Sequence, residues 1–78
     1  MISPAQCRAA RALLNWTQHQ LADRSGLGFS TIRDFEKGRH VPYATNLAII
    51  EQALTEAGVK FLDGNCVCLP DGLTRSSR

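Results

Sequence analysis

The sequence predicts a mainly α, compact four-helix domain closed by a short C-terminal β-hairpin, and three observations support this. Residues 17–39, TQHQLADRSGLGFSTIRDFEKGR, carry the punctuation of two short helices around a glycine-bearing turn. Helical stretches flank them on both sides, with recognisable caps or breakers at their ends. Beyond Gly58 the pattern changes to strand-forming residues around Asp63-Gly64, a strong tight-turn pair.

In the first helix, expected over about residues 4–15, Ser3 and Gln6 form a capping box and Pro4 occupies the first helical position, where its missing N–H is not needed. Ala9, Ala12, Leu13 and Trp16 are expected to face inward. Trp16, beside Leu13, Leu14 and Leu21, reads as core that packs this helix on the next two. Arg8 and Arg11 lie three apart and share a side. They read as solvated charge, with phosphate contact as the alternative.

The second helix starts at Thr17, a good N-cap, with Gln20 placed to reach back to the cap's own N–H. Leu21 and Ala22 supply its apolar face. It ends at Ser25, because Gly26 falls where the chain turns through a left-handed conformation that a residue without Cβ adopts freely. Leu27 is an apolar plug. A third helix then runs from Phe29 to Lys37, with Ile32 and Phe35 on one face and Gly38 as terminator. Two such helices joined by such a turn make a helix-turn-helix unit, whose second helix can enter the DNA major groove.

The loop Arg39-His40-Val41-Pro42 leads to a fourth helix over about residues 44–57, where Leu47, Ile50 and Leu54 have three-then-four spacing and Ile49 and Ala53 stand beside them. That stripe is wide. Part is expected to close the core and the remainder to meet the same helix of a second subunit, with Gly58 as the stop. Val59, Phe61 and Leu62 form one expected strand and Cys66-Val67-Cys68-Leu69 the other. A two-stranded hairpin is marginal alone, so it is expected to pack on the fourth helix or pair with a partner's strand. The chain thus divides into a domain over residues 1–58, a hairpin over 59–70 as dimerisation element, and a flexible tail over 71–78, with 74–78 expected to be disordered.

With 78 residues, 44% of them hydrophobic, the chain is one domain with a small core. No apolar run approaches the roughly 18 residues of a membrane span. The N-terminus MISPAQCRAARALL has no charged leader, long apolar stretch or cleavage site, so the cytoplasm is the expected compartment. Three cysteines are an odd count, and reduced thiols are expected. Cys66 and Cys68, about 7 Å apart if in a strand, are poorly placed for a disulfide and read as small apolar residues. His19 and His40 are isolated from any cysteine or carboxylate at metal spacing. No metal or cofactor is expected. No set of residues offers nucleophile, base and orienter, and Gly26-Leu27-Gly28 is accounted for by the turn, so no catalytic residue is expected either. Net charge is only +2, which by itself does not suggest DNA. The motif carries that inference.

An ordered pattern, Gln18, Leu21, Ala22, Gly26, Leu27, Thr31, Ile32, Phe35, Glu36, Gly38, Pro42, Leu47 and Ala53-Leu54, resembles the Xre or phage-repressor-like helix-turn-helix regulators. It covers about three quarters of the chain, and many spaced positions agree at once. One departure is Gly28, where the family commonly has Ser or Thr capping the second motif helix. The resemblance implies a sequence-specific, double-stranded-DNA-binding transcriptional regulator. It suggests a small autoregulating controller, repressor or activator or both, acting as a homodimer on an inverted repeat.

By the same resemblance Gln18 matches a phosphate-anchoring position, and Phe29, Ser30, Arg33 and Asp34 match the outward base-reading positions. Phe29 either lies on a thymine methyl or folds into the core. Ser30 can donate or accept, Arg33 can grip guanine with two hydrogen bonds, and Asp34 can accept from cytosine or hold Arg33. Thr17, Thr31, Lys37 and Arg39 are expected at the DNA backbone. Glu36, repelled by phosphate, is expected to pair with an arginine of the motif. Leu47, Ile50, Leu54, Phe61 and Val67 are the expected dimer interface. A different class stays open: an antitoxin-type module whose main partner is a toxin, with DNA binding secondary.

Overall fold

Four helices, α1 (Pro4–Leu14), α2 (Gln18–Ser25), α3 (Phe29–Glu36) and α4 (Ala44–Glu56), precede an antiparallel ladder of β1 (Lys60–Phe61) on β2 (Val67–Cys68). These come from a computed structural model that describes residues 2–39, 42–61 and 67–68. The mainly α architecture with its C-terminal hairpin is the one the sequence predicts.

Local chemistry sets most boundaries. Ser3 Oγ accepts from the Gln6 N–H at 3.1 Å while Gln6 Oε1 accepts from the Ser3 N–H at 2.9 Å, so the expected capping box opens α1. Its end comes at Leu14, because Asn15 turns left-handed at φ 63° and the Trp16 N–H reaches back to the Arg11 carbonyl. Asparagine is among the few residues besides glycine that visit this region routinely. Gly58, at φ 112°, follows the last turn of α4.

The core sits where the helices converge. Leu21, Ile32, Ile50, Leu54, Val59 and Cys7 are all under 2% exposed. Each large aliphatic chain so enclosed contributes about 1.5–3 kcal/mol of burial. Around this centre α2 packs on both α3 and α4, while α1 packs on α3, α4 and β2. Trp16 is half-buried against the core, close to its expected role, with the Arg24 guanidinium 4.7 Å above its ring.

Two faces differ from expectation. Ala9, Ala12 and Leu13 point outward, with Leu13 40% exposed, and the inner face of α1 is Gln6, Cys7 and Ala10 with Leu14 partly covered. The helix is rotated because its buried side contains polar groups that a hydrophobic pattern does not select. On α4, Leu47, Ile50 and Leu54 are 4%, 0% and 0% exposed within the single chain, so the monomer's own core consumes the stripe assigned to a subunit interface. The large apolar side chains that α4 and its N-cap do present are Ile49 at 39% and Tyr43 at 81% exposed.

In the ladder Lys60 stands opposite Cys68 and Phe61 opposite Val67. Phe61 and Val67 pack against the core at intermediate exposure, and β2 lies on α1 rather than the hairpin resting on α4 alone. The expected turn at Asp63-Gly64, the flanking Leu62, Cys66, Leu69 and Pro70, the tail over 71–78, and His40 and Val41 of the α3–α4 loop lie outside the described residues. Among the described residues no helix is long and apolar enough to cross a membrane.

Candidate nucleic-acid interface

The start of α2 is locally determined. Thr17 Oγ1 accepts from the Gln20 N–H at 3.1 Å and Gln20 Oε1 accepts from the Thr17 N–H at 2.8 Å. At the other end Gly26 takes φ 75°, its N–H bonding the Ala22 carbonyl at 2.9 Å. The Leu27 side chain then packs against the core, which aims the chain into α3.

Helix α3 begins at Gly28 with no side-chain cap. Its inner face is Ile32, Phe35 and Glu36, which are 0%, 3% and 2% exposed. Ser30 is exposed on the opposite side, and Phe29, Arg33 and Asp34 are half-exposed. Arg33 Nε lies 3.2 Å from Asp34 Oδ1, the alternative in which Asp34 holds Arg33. Thr31 is partly covered, whereas Thr17, Lys37 and Arg39 are exposed at the two ends of the motif.

Among the described residues, Glu36 is the centre of the buried polar cluster. Its Oε2 accepts from Arg11 Nε at 2.7 Å and from the Cys7 thiol at 3.1 Å, and its Oε1 accepts from Arg11 Nη2 at 2.8 Å and Gln18 Nε2 at 3.0 Å. The Arg8 guanidinium donates to the Glu36 backbone carbonyl, so α1 grips the last turn of α3 by side chain and main chain. The expected partner of Glu36 was an arginine of the motif; Arg11 of α1 takes that place because Glu36 faces the α1–α3 seam. Arg11 therefore leaves the solvated class, and Arg8, although exposed, is bound to the fold.

Burial alone pushes the Glu36 carboxyl pKa up. Hydrogen bonds from Arg11, Gln18 and Cys7, with the Arg11 charge, outweigh it and hold the group below the usual carboxylate range. The hydrogen bond to Glu36 raises Arg11 in turn, against the opposing pull of its own desolvation. Burial first, then the bond to Glu36, drives the Cys7 thiol far upward, which keeps it protonated and unreactive. Sequence reasoning missed Cys7 and Gln6. Only the capping box hinted at Gln6, and nothing local marks Cys7.

Gln18 combines two settings. It is the first residue of α2, at the positive end of the helix dipole, and one amide hydrogen is committed to Glu36. A second amide hydrogen and the carbonyl oxygen complete its bonding capacity. Phe29 likewise falls between its two expected places: it touches the core yet remains half-exposed. Its ring stacks on His19, with centroids 4.0 Å apart and planes within 4°, a contact the sequence did not suggest.

An N-terminally capped helix, a left-handed glycine turn and a second helix with one buried and one exposed face make a helix-turn-helix unit, the arrangement that DNA-binding regulators use. The helix-turn-helix family profile matches residues 8–56, and the chain belongs to that family. No curated protein matches the chain beyond this.

Proposed function

We propose that the chain is a small transcriptional regulator of the Xre or phage-repressor-like kind that reads a specific duplex site through α3. One observation carries this reading: Ser30, Arg33 and Asp34 lie on the side of α3 away from its buried face, and Phe29 is half-exposed at the edge of that face. Arg33 meets guanine, Ser30 and Asp34 read polar base edges, and Phe29 meets a thymine methyl. Gln18, at the dipolar start of α2, anchors a phosphate together with Thr17, and Thr31, Lys37 and Arg39 hold the backbone around the recognition helix.

In this reading the protein works in the cytoplasm as a homodimer on an inverted repeat and controls its own gene. A single recognition helix touches few base pairs, and two-fold symmetry doubles the contact. With Leu47, Ile50 and Leu54 buried inside the subunit, the contact falls to the hairpin beyond the 1–58 domain, where Phe61 and Val67 are half-exposed and strand edges invite pairing.

Titration of the purified chain onto duplexes from upstream of its own coding sequence, at fixed salt and with sedimentation of the free and bound protein, tests the proposal. Arg33→Ala is expected to cost about 1–3 kcal/mol on the preferred duplex and to relax preference at one base pair. Lys37→Ala is expected to weaken all sequences alike and to lower the salt slope by about one. A loss on Arg33→Ala that is uniform over single-base variants of the site overturns the assignment of α3.

A further inference from the structure

The outer side of the motif carries a contact that neither helix packing nor the family pattern requires. His19, the second residue of α2, is exposed, yet its ring lies flat on Phe29 at 4.0 Å and 4°. Arg33, one helical turn along from Phe29 on α3, places its guanidinium carbon 5.7 Å from the centroid of the same ring. Arg33 is also tied to Asp34 at 3.2 Å. Three side chains from two helices therefore form one unit on the surface, at the edge where Phe29 meets the core.

A phenyl ring has no hydrogen bonds to offer a base. It discriminates by shape alone, through contact with the C5-methyl that marks thymine in the major groove. Shape discrimination needs a ring that does not swing, and a half-exposed phenylalanine in the first turn of a helix is not held by its own backbone. Packing against the core holds one part of the ring, and the imidazole, from the other helix of the motif, adds a flat restraint on its face. The guanidinium lies within cation–π range of the same ring, which ties the position of Arg33 to that of Phe29.

We propose that His19 is a positioning residue for base readout. By stacking on Phe29 it presents that ring and Arg33 together to a 5-methyl pyrimidine and a nearby guanine. The inference rests on the DNA-reading function of α3 and adds to it a residue from the other helix of the motif. Two rival roles predict different behaviour: a histidine at the start of α2 that simply touches phosphate, and a histidine that only packs.

The test uses the full chain. The preferred duplex is selected from a randomised pool at fixed salt, and each of its thymines is then replaced singly by deoxyuridine, which removes only the methyl. The parent is expected to lose about fourfold in affinity at one thymine, the effect of one buried methyl-sized group. His19→Ala is expected to erase that sensitivity and to broaden tolerance at the neighbouring guanine, leaving affinity for unrelated duplex unchanged. His19→Phe, which keeps a stacking ring, is expected to restore both preferences.

Equal loss by His19→Ala on every duplex assigns His19 to phosphate and overturns the proposal. So does an alanine variant that keeps the deoxyuridine effect, or a phenylalanine variant that fails to restore it. A parent chain that selects no duplex overturns the DNA-reading function and the inference with it, whereas the former results remove the inference alone. Proton NMR of the free protein checks the stack without DNA. His19 ring protons are expected upfield of their ordinary positions and to return there in Phe29→Leu; ordinary positions in the parent would overturn the proposal.

Discussion

The two helices of the motif have the same length and are held in different ways. Helix α2, besides Leu21 and Ala22 in the core, is secured at both ends by its own neighbours in sequence: a reciprocal capping box at Thr17 and Gln20, and a left-handed glycine at its end. Helix α3 has no side-chain cap, and what fixes it comes from elsewhere in the chain, through Ile32 and Phe35 in the core and Glu36 in the grip of Arg11, Cys7 and Gln18. The difference has a functional logic. Under the proposed reading, a helix anchored from behind leaves its outer face available for side chains that meet DNA.

If α3 is held from behind, removing the rear anchor has the largest effect. Glu36→Gln leaves the Arg11 guanidinium, 19% exposed at its side chain, without its counter-charge. The expected cost at neutral pH is about 3 kcal/mol, near the lower end for a broken buried pair because Arg11 retains some water. Against a total stability of roughly 4–12 kcal/mol for a chain of this size, that shift is readily seen in urea unfolding.

Acid sharpens the same test. The folded-state pKa of Glu36 lies below its ordinary value, so the ionised carboxylate contributes fully at pH above the unfolded value of about 4.3. That contribution is lost as pH falls through the lower, folded value. Parent and Glu36→Gln are therefore expected to differ most at neutral pH and to converge in acid. A gap that stays constant down to pH 3 would place the stabilisation somewhere other than this carboxylate.

The same contrast explains what could be read in the sequence. Thr17, Gln20 and Gly26 act through neighbours within a turn or two, and Ile32 and Phe35, although they pack against distant residues, stand three apart on one helix face, so all five are visible as short-range patterns. The partners of Glu36 are not. Arg11 precedes it by 25 residues and Cys7 by 29, and no local rule joins them. For the same reason the inner face of α1 was misread: Gln6 and Cys7 are buried for their place in the fold, and a hydrophobic pattern preferred Ala12 and Leu13. On α4 the residues were correctly picked as apolar, but their position in a chain cannot say whether they serve the monomer or a second copy. The outer side chains of α3 were legible as a set, whereas the stack of His19 on Phe29 depends on the angle between two helices.

A smaller effect is expected at the junction between the two helices. Gly26 stands at φ 75°, and a Cβ built there meets nothing within 4 Å. A Cβ has room there, so the loss expected on substitution comes from backbone strain. Gly26→Val is expected to destabilise by about 1–2 kcal/mol, the cost of holding a β-branched residue in the left-handed region. Gly26→Asn should cost less, because asparagine tolerates that conformation. Equal melting of the valine variant and the parent would show that α2 does not depend on this turn.

The smallest expected change runs in the stabilising direction and addresses the contrast most directly. Gly28 has φ −69° and ψ 149°, an extended N-cap geometry open to any residue, and an added Cβ meets only Thr31 Oγ1 at an ordinary 3.9 Å. A serine there can accept a hydrogen bond from an early N–H of α3, as Thr17 does for α2. Because glycine is already a fair N-cap, Gly28→Ser should add only a few tenths of a kcal/mol. In the Glu36→Gln background, where α3 has lost its rear anchor, the same substitution should matter at least as much, and the two changes should be close to additive because the cap and the carboxylate lie at opposite ends of the helix. Thermal melts of the four proteins form the cycle. A destabilising Gly28→Ser would mean that glycine is needed at this junction for its backbone freedom, and α3 would then depend on local geometry as α2 does.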